Sequence, residues 1–101
     1  MAEFMKHQIT EKCTWYMIDG IMGTEYVPAD LVPDQYTQNW EPGKEIPKPL
    51  ADYCENITAW EIEMITGYGA RLSAPGYMDC TEWAVFDTIE QAENYLKDTY
   101  D

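Results

Sequence analysis

Positive charge is what this sequence has least of: 6 Lys and Arg stand against 19 Asp and Glu, a formal net charge of −13 over 101 residues. A phosphate backbone is bound by displacing its counterions with Lys and Arg, so direct binding to nucleic acid is not expected. Histidine is reduced to His7, which leaves little material for a Cys-His or Ser-His pair. The three cysteines, Cys13, Cys54 and Cys80, are an odd number at wide spacings with no Cys-x-x-Cys pair. They close no disulfide framework and fit a reducing cytoplasm. No stretch approaches the ~20 apolar residues of a membrane span, and the first residues lack the apolar run of a signal peptide. The expectation is a cytoplasmic protein that does not engage a membrane.

What is present is enough to fold. Hydrophobic residues make up 46% of the chain and aromatics 14%, including 4 Trp and 8 Tyr, which supports one modest core and a single domain over 1–101. The charge is uneven: residues 1–50 hold 8 acids against 4 lysines, and residues 51–101 hold 11 acids against Arg71 and Lys97. The first ten residues read as loose. Lys12–Ile18 is a dense apolar run that predicts a strand closed by a turn at Asp19-Gly20, with a second short strand over Thr24–Val27. Five of the 6 prolines fall within residues 28–49, and each removes a backbone donor, so a packed loop is predicted there, with a helical turn near Ala29–Leu31. Tyr36 and Trp40 are the side chains expected to pin it. A further helical turn is predicted from Pro49 through Glu55.

From Ile57 the residues alternate, with Trp60, Ile62 and Met64 on one side and Ala59, Glu61, Glu63 and Ile65 on the other, the pattern of a half-buried strand. Gly67-Tyr68-Gly69 reads as a three-residue turn, because that register pairs Met64 with Leu72 and keeps apolar residues on one face. A returning strand over Cys80–Phe86 with Trp83 and Val85 inward completes a meander. Asp87 followed by Glu90 reads as a capping box opening a C-terminal helix, whose Ile89, Ala92, Leu96 and Thr99 or Tyr100 recur at helical spacing. The expected fold class is α+β: an antiparallel sheet of about three to five strands, the C-terminal helix on one face, and a Pro-rich ordered loop.

Catalytic chemistry finds no support in this pattern, and a non-enzymatic protein is expected. A zinc site through His7 and the three cysteines lacks short paired spacings, so structural buried thiols are the plainer reading and no metal or cofactor is expected. A calcium loop and a Gly-rich phosphate loop are both missing. Glu61, Glu63, Asp79 and Glu82 point outward by the register above, away from the burial that would raise a general acid's pKa. Arg71 reads as a surface cation between Glu61, Glu63 and Glu82. Asn56-Ile57-Thr58 matches the glycosylation acceptor pattern by coincidence, since no secretory route is apparent.

Two binding surfaces remain. One is acidic: Glu61, Glu63 and Glu82 on strands, and Glu90 and Glu93 on the helix. The other is the loop Ala74-Pro-Gly-Tyr77-Met78-Asp79, read either as turn chemistry or as a recognition loop with Tyr77 and Met78 as anchors beside Asp79. The stretch from Tyr68 through Gly-Ala-Arg-Leu-Ser-Ala-Pro-Gly-Tyr-Met-Asp-Cys-Thr-Glu to Trp83, followed by Asp87-Thr-Ile-Glu90, resembles a segment of small acidic proteins of bacteria and their phages. In size and charge the chain also resembles phage anti-defence proteins, the anti-CRISPR and DNA-mimic anti-restriction inhibitors. That resemblance implies a phage-encoded inhibitor, acting in the host cytoplasm by blocking a basic, nucleic-acid-handling host protein. It carries over no residue roles. The alternative expectation is a cytoplasmic protein-protein interaction module that uses the 74–79 loop. An uncovered sheet face leaves a homodimer open.

Overall fold

The computed structural model describes residues 6–73 and 81–100, the last of these by its backbone alone. A four-stranded antiparallel sheet of order β2-β1-β3-β4 is built from β1 (Lys6–Gly20), β2 (Gly23–Pro28), β3 (Ala59–Ser73) and β4 (Ala84–Phe86). Two helices accompany it, the short α1 (Lys48–Ala51) and the C-terminal α2 (Ile89–Tyr100), so the class is α+β. No helix among the described residues is long and apolar enough to cross a membrane. The chain divides into two compact units, Thr14–Ile65 and Met1–Cys13 with Thr66–Asp101.

In the unit Thr14–Ile65, β1 runs on to Gly20, which pairs with Gly23, so the turn is Ile21-Met22 and not Asp19-Gly20. Gly23 has φ +92°, a conformation that a Cβ disfavours, and this places the turn beside it. Asp19 stays in the ladder opposite Thr24, whose Oγ1 donates to its Oδ1 at 3.3 Å. The Pro-rich stretch follows as two single 3-10 turns, Ala29–Leu31 and Asp34–Tyr36, then a segment that lies along the start of β3. There Gly43 N–H donates to Ala59 O (2.7 Å) and Ile46 N–H to Ile57 O (2.8 Å). The core of this unit is Tyr16, Ile18, Val27, Val32, Ile46, Leu50 and Ala59, with Trp40, Ala51, Cys54 and Ile62 packed on its margin. Val32, Ile46 and Leu50 are thus the residues that hold the stretch down. Trp40 joins them, whereas Tyr36 is 44% exposed and does not pin it. Tyr16 O–H donates to Val32 O at 2.9 Å, and burial pushes its pKa above the ordinary phenol value.

In the other unit, Lys6–Thr10 is strand and not a loose tail: Gly69 N–H donates to Thr10 Oγ1 and Arg71 Nε to Gln8 Oε1, both at 2.9 Å. The expected turn at Gly67–Gly69 does not form. Tyr68, Gly69 and Ala70 pair with Phe86, Val85 and Ala84, so β3 runs unbroken through both glycines. Neither glycine has positive φ. Gly67 serves a close approach instead, since a Cβ there would lie 2.6 Å from Phe86 O and 2.7 Å from Val85 Cγ1. The returning strand is only Ala84–Phe86; Trp83 lies before it, half-buried, and Cys80 lies outside the described residues.

Helix α2 is capped one residue later than the Asp87/Glu90 spacing suggests. Thr88 Oγ1 accepts from Gln91 N–H (3.1 Å) while Gln91 Oε1 accepts from Thr88 N–H (3.3 Å) and Asp87 N–H (3.1 Å), a reciprocal Thr-x-x-Gln box. Ala92 and Leu96 are buried against Ala70 as their spacing predicts, with Ile9, Phe86 and Tyr95 around them. Ile89, expected inward, is 46% exposed. Phe86 and Tyr95 meet with ring centroids 5.0 Å apart.

Candidate functional site

The acidic side chains singled out by the sequence sit on ordered backbone. Glu61 and Glu63 are exposed at alternate positions of β3, about 6.6 Å apart along the strand. Glu90 and Glu93 are exposed three residues apart on α2, and Glu82 is exposed just ahead of β4. Glu61 and Glu63 belong to the unit Thr14–Ile65, whereas Glu82, Glu90 and Glu93 belong to the other. Tyr77, Met78 and Asp79 lie outside the described residues.

Arg71 is placed differently from the expectation. With no turn at 67–69, it follows Glu63 by eight residues along one strand and does not face it across a hairpin. Its guanidinium carbon instead lies 4.0 Å from the centroid of the Trp83 ring, while Nε holds Gln8. Stacking on an aromatic face while donating in the ring plane is the geometry that suits a guanidinium.

The strand around Glu61 and Glu63 departs from the simple inside-outside alternation. Trp60 is 55% exposed and Met64 52%, and of the three apolar residues on that side only Ile62 reaches the core. Gly43–Ile46 pairs along the edge of β3 only as far as Ala59, where the Gly43 hydrogen bond ends the pairing, and Trp60 lies one residue beyond it. Carboxylates and large apolar side chains therefore share one short strand segment in water.

Sequence reading missed a buried polar centre in the same unit. Asn56 is 1% exposed, its Nδ2 donating to Gly23 O (3.1 Å) and Glu25 Oε1 (2.6 Å) while its Oδ1 accepts from Met22 N–H (2.7 Å). Glu25 also accepts from the backbone N–H groups of Glu55 (2.8 Å) and Asn56 (2.9 Å). The clasp ties the β1–β2 turn to the approach to β3, and it occupies the amide nitrogen that a glycan on Asn56-Ile57-Thr58 would require. The available signal was a lone Asn beside Glu55, which has no periodicity to reveal it.

For nucleophilic or metal chemistry the arrangement offers little. Among the described residues no group of three His, Cys, Asp or Glu side chains could hold a metal ion. Cys13 and Cys54 are half-buried, not fully buried as expected of structural thiols. Burial, and then the charge of Glu25, push the Cys54 thiol up to about 11, the reverse of an activated nucleophile. Because the folded value lies above the ordinary ~8.5, the thiol favours the fold below about pH 8.5 and that contribution is lost as pH rises towards 11. At pH 8 the thiolate fraction falls about a hundredfold and intrinsic nucleophilicity recovers about tenfold of it. Iodoacetamide labelling of Cys54, followed by peptide mass spectrometry, is thus expected to be about tenfold slower in the folded chain than in urea; equal rates would refute the shift.

No protein-family model, curated protein or solved structure matches this chain.

Proposed function

We propose that the chain is a non-enzymatic acidic protein that acts by binding, and that it blocks the basic, nucleic-acid-facing surface of a host protein as a phage or mobile-element inhibitor in the cytoplasm. One observation carries the reading: carboxylates on regular backbone, Glu61 and Glu63 on β3 and Glu90 and Glu93 on α2, are exposed in a chain of net charge −13. Charges on ordered elements keep their spacing, so they attract a basic groove without the entropy cost of ordering a tail. Alternate strand positions stand ~6.6 to 6.8 Å apart, about half the linear charge density of one DNA strand at ~3.4 Å per phosphate.

The test is competition. Purified DNA-binding and DNA-cleaving complexes of the host are titrated with the protein in the presence of labelled duplex DNA, at salt from about 50 to 300 mM. The expected result is displacement of DNA from one of them, weakening about tenfold over that range because steering fades within a Debye length of ~8 Å near physiological salt. Glu61→Lys/Glu63→Lys is expected to weaken the displacement about tenfold, while Tyr77→Ala/Met78→Ala leaves it intact. Binding that is indifferent to salt, or that coexists with bound DNA, would overturn the reading.

A further inference from the structure

We propose that the outer edge of β3 over Trp60–Ile65 is a strand-addition site, and that its occupant is an extended basic segment of the partner with Lys or Arg at alternate positions. On one side β3 has β1 as its neighbour. On the other, Gly43–Ile46 accompanies the chain as far as Ala59, and β4 pairs from Tyr68 onward. Among the described residues no strand pairs with that side of Trp60–Ile65. Six residues at ~3.3 Å each leave about 20 Å of backbone whose outward N–H and C=O groups are met by water. Trp60, Glu61, Glu63 and Met64 are exposed on this part of the strand, while Ile62 alone packs against the core.

An open edge invites any strand, including a second copy of the chain, and the side chains decide between them. Antiparallel self-pairing centred on Ile62 sets Glu61 opposite Glu63 twice, with cross-strand Cβ distances of ~4.5 to 5.5 Å, and like charges so placed oppose pairing. Two chains of net charge −13 repel each other further. The same two carboxylates favour a strand that brings cations to those positions, so the edge is closed to its own kind and open to a basic segment. Main-chain hydrogen bonds supply the affinity, Glu61 and Glu63 select the charge on one face, and Trp60 and Met64 lie ready to cover the apolar residues that alternate with the cations on the other. This inference rests on the proposed binding to a basic partner, and specifies how that partner is gripped.

The probe is a seven-residue peptide alternating Lys with Val and Thr, titrated into the full chain at low salt and followed by amide chemical shifts and hydrogen exchange. Binding is expected to shift the amides of residues 60–65 and to protect those of Glu61, Glu63 and Ile65, which face the same edge as the Ile57 and Ala59 carbonyls held by Ile46 and Gly43. A peptide methylated on alternate backbone nitrogens keeps its charge but loses the donors of one edge, and is expected to bind about tenfold more weakly. Glu61→Gln/Glu63→Gln, which preserves the shape of an exposed strand, is expected to weaken the unmodified peptide to a similar degree. Equal affinity for the methylated and plain peptides, or protection that falls elsewhere in the chain, would overturn strand addition. The two proposals fail separately. Displacement of DNA without protection of residues 60–65 leaves the acidic inhibitor standing and removes the edge, and protection by peptide without displacement of DNA does the reverse.

Discussion

Asn56→Ala is expected to lower the unfolding free energy by about 3 kcal/mol. The amide makes three hydrogen bonds, to Met22, Gly23 and Glu25, at 1% exposure. Each is worth about 1 kcal/mol net, and the loss of all three accounts for that figure. For a domain of this size the loss corresponds to a fall in melting temperature of about 15 °C, read by calorimetry or thermal circular dichroism. Asn56→Asp separates this clasp from mere packing. It preserves shape but sets a carboxylate against Glu25 Oε1, which the native Nδ2 approaches to 2.6 Å. At neutral pH the Asp variant is expected to be as unstable as Ala or worse, because two close carboxylates cannot both remain ionised without cost. Its deficit should shrink as pH falls and one of them takes up a proton. A pH-independent loss equal to that of Ala would show that the Glu25 contact contributes nothing.

Gly67→Ala is expected to cost about 3 kcal/mol, at the top of the range for overpacking, by forcing β4 away from β3. The new methyl group would stand 2.6 Å from Phe86 O, a backbone atom, and 2.7 Å from Val85 Cγ1. Only the valine can turn aside. Displacing Phe86 also disturbs its contact with Tyr95 and the cluster of Ala70, Ala92 and Leu96 beneath, so near-ultraviolet circular dichroism should fall along with stability. Gly23→Ala supplies the contrast: nothing lies within 4 Å of a Cβ there, and the penalty is the strain of φ +92° alone, about 1 kcal/mol. Equal costs at the two glycines would contradict the close approach of β4 and would restore a turn at residue 67.

These two residues also mark where sequence reasoning reached its limit. Gly67-Tyr68-Gly69 has the composition of a turn, and the register that kept Met64 and Leu72 on one face was internally consistent. It assumed that glycine is there to bend the chain. In the fold its service is to let a neighbouring carbonyl approach, a need that arises only once β4 lies alongside. Once that turn is lost, Arg71 moves from its expected acidic surroundings to the ring of Trp83. Trp60 and Met64 share a face with Ile62, yet only Ile62 reaches the core. Alternation reveals that a strand has two faces, but what lies over either is decided by tertiary packing. At α2 the error was smaller: Asp87/Glu90 and Thr88/Gln91 are overlapping capping boxes, and propensity ranks them too closely to choose.

The sequence by itself determined the α+β class, the strands near residues 12–18, 24–27 and 57–65, the C-terminal helix, and the exposure of Glu61, Glu63, Glu82, Glu90 and Glu93. All of these follow from local pattern or from charge that has nowhere to go but water. The tertiary structure alone decided that 59–73 is one strand, that the buried Asn56 is clasped to Glu25, and that no strand among the described residues pairs with the outer edge of Trp60–Ile65. Each of those is a relation between residues far apart in the chain, and periodicity carries no information about a strand's lateral neighbours. The net charge of −13 thereby gains an address: two of its carboxylates, Glu61 and Glu63, stand on a strand edge that no described strand pairs with, the edge proposed above to take a basic strand.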